Sequence, residues 1–124
     1  MDRGNWKVLL IDDEPDSLDL IYDMLTLHGI EVQRAASGTM GLALLETFTP
    51  TVIVVDLAMP DINGWELLAR VRQRPDLADV PVVAITAYYS ASVAEAARQA
   101  GFDAFLPKPI KSGELLRRLS EVIE

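Results

Sequence analysis

The sequence predicts an α/β fold, a doubly wound five-stranded parallel sheet with five helices. Two observations carry that expectation. Short apolar runs alternate five times with segments of helical period, the pattern of a parallel sheet with helices on both faces. Most of those runs are continuous rather than alternating, which marks strands buried on both sides.

In chain order, the first strand is Val8-Leu9-Leu10-Ile11. The helix after it opens at Pro15, a residue suited to the first helical position, and stops at Gly29. Its apolar stripe is Leu18, Ile21, Tyr22 and Leu25, with Asp16, Asp19, Asp23 and Thr26 on the other face. Glu31-Val32-Gln33-Arg34-Ala35 alternates polar and apolar residues, so this second strand is wet on one side and belongs at a sheet edge. A second helix spans Thr39 to Phe48, after the cap signal at Ser37. Val52-Ile53-Val54-Val55 is the third strand, and Trp65 to Arg72, after Gly64, the third helix. Val82-Val83-Ala84-Ile85 is the fourth strand. Ser92 to Ala100 comes next as a helix with an inner face of Val93, Ala96, Ala97 and Ala100. Ala104-Phe105-Leu106 is a short fifth strand. Leu115, Leu116, Leu119, Val122 and Ile123 form the stripe of a fifth helix, with Arg117, Arg118, Glu121 and Glu124 turned to water. With the second strand at one edge and the fifth at the other, right-handed crossovers fit the order 2-1-3-4-5. That is the flavodoxin-like order.

Composition narrows the function. Half of the 124 residues are apolar and 24% are charged, which suits the core of one domain. The absence of cysteine excludes a disulfide framework, a thiolate metal site and a Cys nucleophile. A formal charge of −8 makes nucleic acid and acidic lipid poor direct partners. No apolar run approaches the roughly 18 residues of a membrane span. The opening MDRGNWK lacks the apolar stretch of a signal peptide, so the expected location is cytoplasmic.

Each buried strand delivers a polar group at its carboxyl end. Asp12-Asp13-Glu14 come after the first, Asp56 closes the third, Thr86 comes after the fourth and Lys108 after the fifth. The edge strand delivers only a Ser37-Gly38 turn. Ligands of open α/β sheets bind outside the carboxyl ends, where strand order reverses, here between strands one and three. Those two strands carry the three aspartates.

Each residue also has a plain structural reading. The acids before Pro15 suit a helix N-terminus, Thr86 suits a turn, and Lys108 suits solvent. Asp56 is harder to dismiss, because a carboxylate leaving a dry strand must be paired or bound. Three crowded carboxylates repel one another, and one lysine does not balance them. A hard cation completes the balance, since Mg2+ takes one or two carboxylates, a carbonyl, waters and a phosphate oxygen. With Mg2+ and Lys108 offsetting the charge, one carboxylate can act as a nucleophile and form an aspartyl phosphate. The cation would stabilise the transferring oxygens, and Thr86 is a hydroxyl donor able to reach one of them.

Together these residues resemble the receiver domain of two-component response regulators, the CheY-like family. The matching segments are Val8 to Pro15, Asp56-Leu57-Ala58-Met59-Pro60 with Gly64, Ile85-Thr86-Ala87 and Leu106-Pro107-Lys108-Pro109. The resemblance implies one receiver domain over 1–124, with its core over about 6–123 and no output domain within it. It makes Asp56 the phosphoacceptor, loaded from the phosphohistidine of a sensor histidine kinase or from a phosphotransfer protein. Mg2+, or Mn2+, would be ligated by Asp13, Asp56 and the backbone carbonyl of Ala58, with Asp12 acting largely through water. Lys108 would contact the phosphoryl group, Thr86 would be the switch hydroxyl, and the bond before Pro109 would be cis. Phe105 takes the place of the switch aromatic, where tyrosine is common, so it offers no hydroxyl to a partner.

The family reading implies a phosphorelay switch that assists its own phosphorylation and dephosphorylation but is no enzyme for an external metabolite. Its output face would be helix four, strand five and helix five, which suits a downstream effector or a second copy in a homodimer. The chain stands equally for a stand-alone regulator or a module cut from a hybrid histidine kinase or multidomain regulator. An aspartate-nucleophile phosphatase would carry a second Asp two residues beyond its nucleophile, where this chain has Ala58. A binding-only receiver would not need the full acidic set. A flavin domain would not place acids in the first loop. His28 suits a helix C-terminus, Met59 suits loop packing, and Tyr88-Tyr89 suits either a contact patch or an ordinary loop.

Overall fold

The computed structural model describes residues 3–123. Its elements run β1 (Lys7–Ile11), α1 (Pro15–Thr26), β2 (Glu31–Ala35), α2 (Gly38–Leu44), β3 (Val52–Asp56), α3 (Gly64–Gln73), β4 (Val82–Thr86), α4 (Ala91–Ala100), β5 (Ala104–Pro107) and α5 (Ser112–Ile123). The five strands pair in parallel in the order β2-β1-β3-β4-β5. The doubly wound α/β class and the strand order are those the alternation predicts. Among the described residues, no helix is long and apolar enough to cross a membrane.

Two cores arise from the pleat, because successive side chains of a strand point to opposite faces. Val8, Leu10, Val54, Val83 and Ile85 pack with Ile21 and Leu25 of α1 and with Leu115, Leu116 and Leu119 of α5. Leu9, Ile11, Ile53, Val55 and Ala84 pack with Leu67, Leu68 and Val71 of α3 and Ala97 of α4. The edge strand β2 buries only Ala35 fully.

Helix starts are set by short polar side chains. Ser37 accepts from the Met40 amide, Asn63 from Glu66 and Ser90 from Val93, so α3 begins at Gly64 and α4 at Ala91. Helix α1 takes Pro15 at its first turn, and Gly29 adopts a φ of 77° after its end.

Three local expectations change. Helix α2 ends at Leu44 rather than Phe48. The amides of Glu46 and Thr47 bond three residues back, to Ala43 and Leu44, and so tighten its last turn. The inner face of α4 is Val93, Ala94 and Ala97, while Ala96 and Ala100 are exposed. Alanines on several sides of that helix leave its apolar stripe undefined by sequence. Arg118 is half-buried, with Nε 3.3 Å from Glu121, rather than turned wholly to water. Glu124 lies outside the described residues.

Candidate functional site

The carboxyl ends of β1, β3 and β4 use one local device. Asp12 Oδ1 accepts from the Glu14 amide (3.0 Å), Asp56 Oδ1 from Ala58 (3.0 Å) and Thr86 Oγ from Tyr88 (3.0 Å). In each case a strand-end oxygen caps the amide two residues on, which turns the chain out of the sheet. It also leaves the second carboxylate oxygen of Asp12 and of Asp56 facing inward.

Those two oxygens meet Lys108. Its Nζ lies 2.8 Å from Asp12 Oδ2, 2.9 Å from Asp56 Oδ2 and 3.8 Å from Glu14 Oε1. The backbone brings it there, because the Lys108 amide donates to the Thr86 carbonyl (2.8 Å), one step past the Thr86–Pro107 pairing. The peptide bond between Lys108 and Pro109 is cis.

Burial sets the electrostatics. Asp12 is wholly buried, Asp56 is 6% exposed, and Asp13 is exposed. Burial pushes the Asp56 carboxyl above its ordinary pKa of 3.8 and the negative charge of Asp12 adds to this, while Lys108 and the Ala58 amide only partly counter it. Burial works against the Lys108 ammonium, but its two carboxylate partners prevail and raise its pKa above the usual 10.5.

The donor set fits a hard cation. Asp12, Asp13 and Asp56 each offer an oxygen within 4.8 Å of the others. Asp12 Oδ2 is buried and, among the described residues, is matched only by the Lys108 ammonium. An all-oxygen set with a surplus of negative charge suits Mg2+ or Mn2+. Asp13, Asp56, Ala58, Tyr88 and Lys108 line an open hollow of about 250 Å³, so the backbone of Ala58 borders the same space.

The structure thus gathers Asp12, Asp13, Asp56, Ala58 and Lys108 into one cluster. Thr86 sits beneath it, 2% exposed, with its hydroxyl turned to the β4–α4 loop. Phe105 stands apart. Its ring lies 5.5 Å from that of Tyr89, and it borders a second groove with Ala94, Arg98 and Arg118.

Sequence reasoning named Gly64 but not its packing, the first of three features it did not foresee: a Cβ there would lie 2.7 Å from the Asp56 carbonyl oxygen and 2.9 Å from Leu57 Cα. Only glycine lets α3 start that close to the strand end. The second is the docking of Asp61 on α2. The third is an apolar hollow of about 370 Å³ beside the site, bordered by Leu20 and Ile21 of α1 and by Pro109 and Ile110. Leu20 was visible as a leucine off the α1 stripe. Gly64 was visible in the segment that follows Asp56, and no local pattern marks the docking of Asp61.

Similarity to known proteins agrees with this geometry. The family model for the response regulator receiver domain matches residues 8–120. An uncharacterised 14.6 kDa protein of Leptolyngbya boryana is 39% identical over 114 residues, 92% of this chain and 87% of that protein. The DNA-binding dual master transcriptional regulator RpaA of Synechocystis is 32% identical over 117 residues, 94% of this chain but 48% of its own length. The chain therefore spans about half of that relative. The crystal structure of a putative response regulator from Chloroflexus aurantiacus superposes with a TM-score of 0.90 at 31% identity, over 95% of this chain and 97% of that one. A family match over most of the chain and a sheet carrying acids at two central strand ends lead to one conclusion: this chain belongs to the response regulator receiver domains of two-component signalling.

Proposed function

We propose that this receiver domain is a phosphorylation switch in which Asp56 accepts a phosphoryl group from a phosphohistidine of a partner protein. One observation carries the reading. A single ammonium is shared at 2.8 and 2.9 Å by two buried carboxylates, with a third acid in reach. That is a site with spare negative charge, built to take up a cation and then an anionic group. A carboxylate oxygen of Asp56 attacks phosphorus, the P–N bond to the histidine breaks, and the imidazole leaves with a proton in place of phosphorus. Mg2+, held by Asp13, Asp56 and the Ala58 carbonyl with Asp12 behind it, would supply charge stabilisation to the transferring oxygens. Lys108 turns from its shared position toward the new phosphoryl oxygens.

Thr86 completes the switch. Its hydroxyl now accepts from the Tyr88 amide. Turning toward a phosphoryl oxygen releases that amide, and with it the loop bearing Tyr89 against Phe105. The face of α4, β5 and α5 then changes shape for an effector or a second copy. Arg98, Arg117 and Glu121 on it give mixed charge suited to either. The phosphodonor docks at the apolar hollow between α1 and Ile110, which opens beside Lys108.

The test is intact mass spectrometry after incubation with acetyl phosphate and Mg2+. A single phosphoryl adduct on the wild type, absent from Asp56→Asn, is expected. Equal modification of both would place the acceptor elsewhere.

A further inference from the structure

We propose that Asp61 is a positioning residue for the cation site, tethering the β3–α3 loop to the start of α2. This rests on the reading of Asp56 and Mg2+ above. Two independent observations carry it. Asp61 Oδ2 accepts from the Thr39 amide (2.9 Å) and the Thr39 hydroxyl (2.7 Å), and Oδ1 accepts from the Gly38 amide (3.3 Å). Separately, a Cβ on Gly38 would fall 2.5 Å from the Ile62 carbonyl oxygen. The backbones of α2 and of the loop therefore meet so closely that only glycine fits.

The position of this tether gives it a role. The loop runs from Asp56 to Gly64 and carries Ala58, whose carbonyl is the expected cation ligand. Its near end is held by the Leu57 amide on Ile85 and the Ala58 amide on Asp56. Its far end is closed by the Gly64 amide on the Leu57 carbonyl. Between Met59 and Ile62, among the described residues, the only hydrogen bonds to another element are those of Asp61. Without them the loop must be ordered when the cation binds, and that ordering weakens affinity. Linkage makes the effect reciprocal, so a bound cation tightens the start of α2.

The experiment is a Mg2+ titration by tryptophan fluorescence, with Trp65 directly after Gly64, on the wild type, Thr39→Val, Asp61→Asn and Asp61→Ala. Thr39→Val removes one donor and leaves the charge unchanged. Hydrogen-bond losses of this kind correspond to about 3-fold weaker Mg2+ binding for Thr39→Val and about 10-fold for Asp61→Ala, with Asp61→Asn between. Circular dichroism and melting establish that each variant is folded at the titration temperature, and Thr39→Val decides if Asp61→Ala does not fold. Amide exchange gives a second readout: Mg2+ should slow exchange at Gly38 and Thr39 in the wild type and not in Asp61→Ala. Weakening confined to the Asp61 variants, with Thr39→Val unchanged, would be a charge effect and would overturn the tether. So would a lower melting temperature with unaltered affinity. A wild type that did not respond to Mg2+ would instead overturn the site reading, and this proposal with it.

Discussion

Replacing Lys108 with methionine isolates the electrostatics of the site. Methionine keeps most of the stem and removes the ammonium, the only cation among the described residues in contact with Asp12 and Asp56. Two buried carboxylates then face each other uncompensated. Removing one partner of a buried ion pair costs about 3–5 kcal/mol. The lower end applies here, because Asp12 and Asp56 each keep a backbone amide as a partner, from Glu14 and Ala58. On a domain of this size each kcal/mol moves the melting temperature by about 4 °C, so the variant should melt ~12 °C lower at pH 8 without Mg2+.

The pH dependence has a definite sign. A carboxyl whose folded pKa is raised binds more protons folded than unfolded, so stability falls as pH rises through the folded value. Lys108 holds the Asp56 pKa down, so its loss raises that pKa further. The gap between Lys108→Met and wild type should be full where Asp56 is ionised in both proteins and shrink on acidification, as the variant's Asp56 takes up its proton first. Added Mg2+ should narrow it too, because a ligand that binds only the folded state stabilises by mass action. Calorimetric melts at pH 5 and pH 8, with and without Mg2+, are the assay. The Asp56→Asn/Lys108→Met double variant should recover most of the loss, which closes a double-mutant cycle. A single variant as stable as wild type at pH 8, or a gap that widens in acid, would refute the reasoning.

Asp56→Asn alone should melt higher than wild type at pH 8, since it removes a buried charge held above its ordinary pKa, and the gain should vanish below about pH 4. Gly64→Ala should lose about 2 kcal/mol in denaturant melts and slow phosphorylation, because the new methyl meets backbone 2.7 Å away that cannot yield without moving Asp56. Thr86→Val should speed amide exchange at Tyr88 before any phosphorylation and abolish the phosphorylation-dependent change there, since both states lose their hydroxyl contact. An unchanged response in that variant would remove Thr86 from the switch.

The sheet was legible because its signal is continuous in the chain. Val52 to Val55 and Val82 to Ile85 have no polar residue to offer water, so burial on both faces was the one reading open to them. Helix edges were less so. The stop of α2 depends on carbonyl pairings that Glu46 and Thr47 choose only once packed. The face of α4 depends on which alanines meet Phe102 and the sheet, and an alanine carries too little side chain to declare a side.

The candidate site divides in the same way. Asp12, Asp56 and Lys108 were legible because each charge stands at or just after the end of an apolar strand, where parallel topology brings the ends together whatever the loops do. Asp61 stands in an exposed loop after Pro60, where an acid is ordinary, and its partners lie 22 and 23 residues away across β3. Its meaning exists only after Gly38 has let two backbones approach to a distance that no other residue permits. The strand ends therefore set which groups meet, and the loops set how firmly they are held. Variants at the strand ends should change whether a cation and a phosphoryl group are accepted, and variants in the loops should change their affinities and lifetimes.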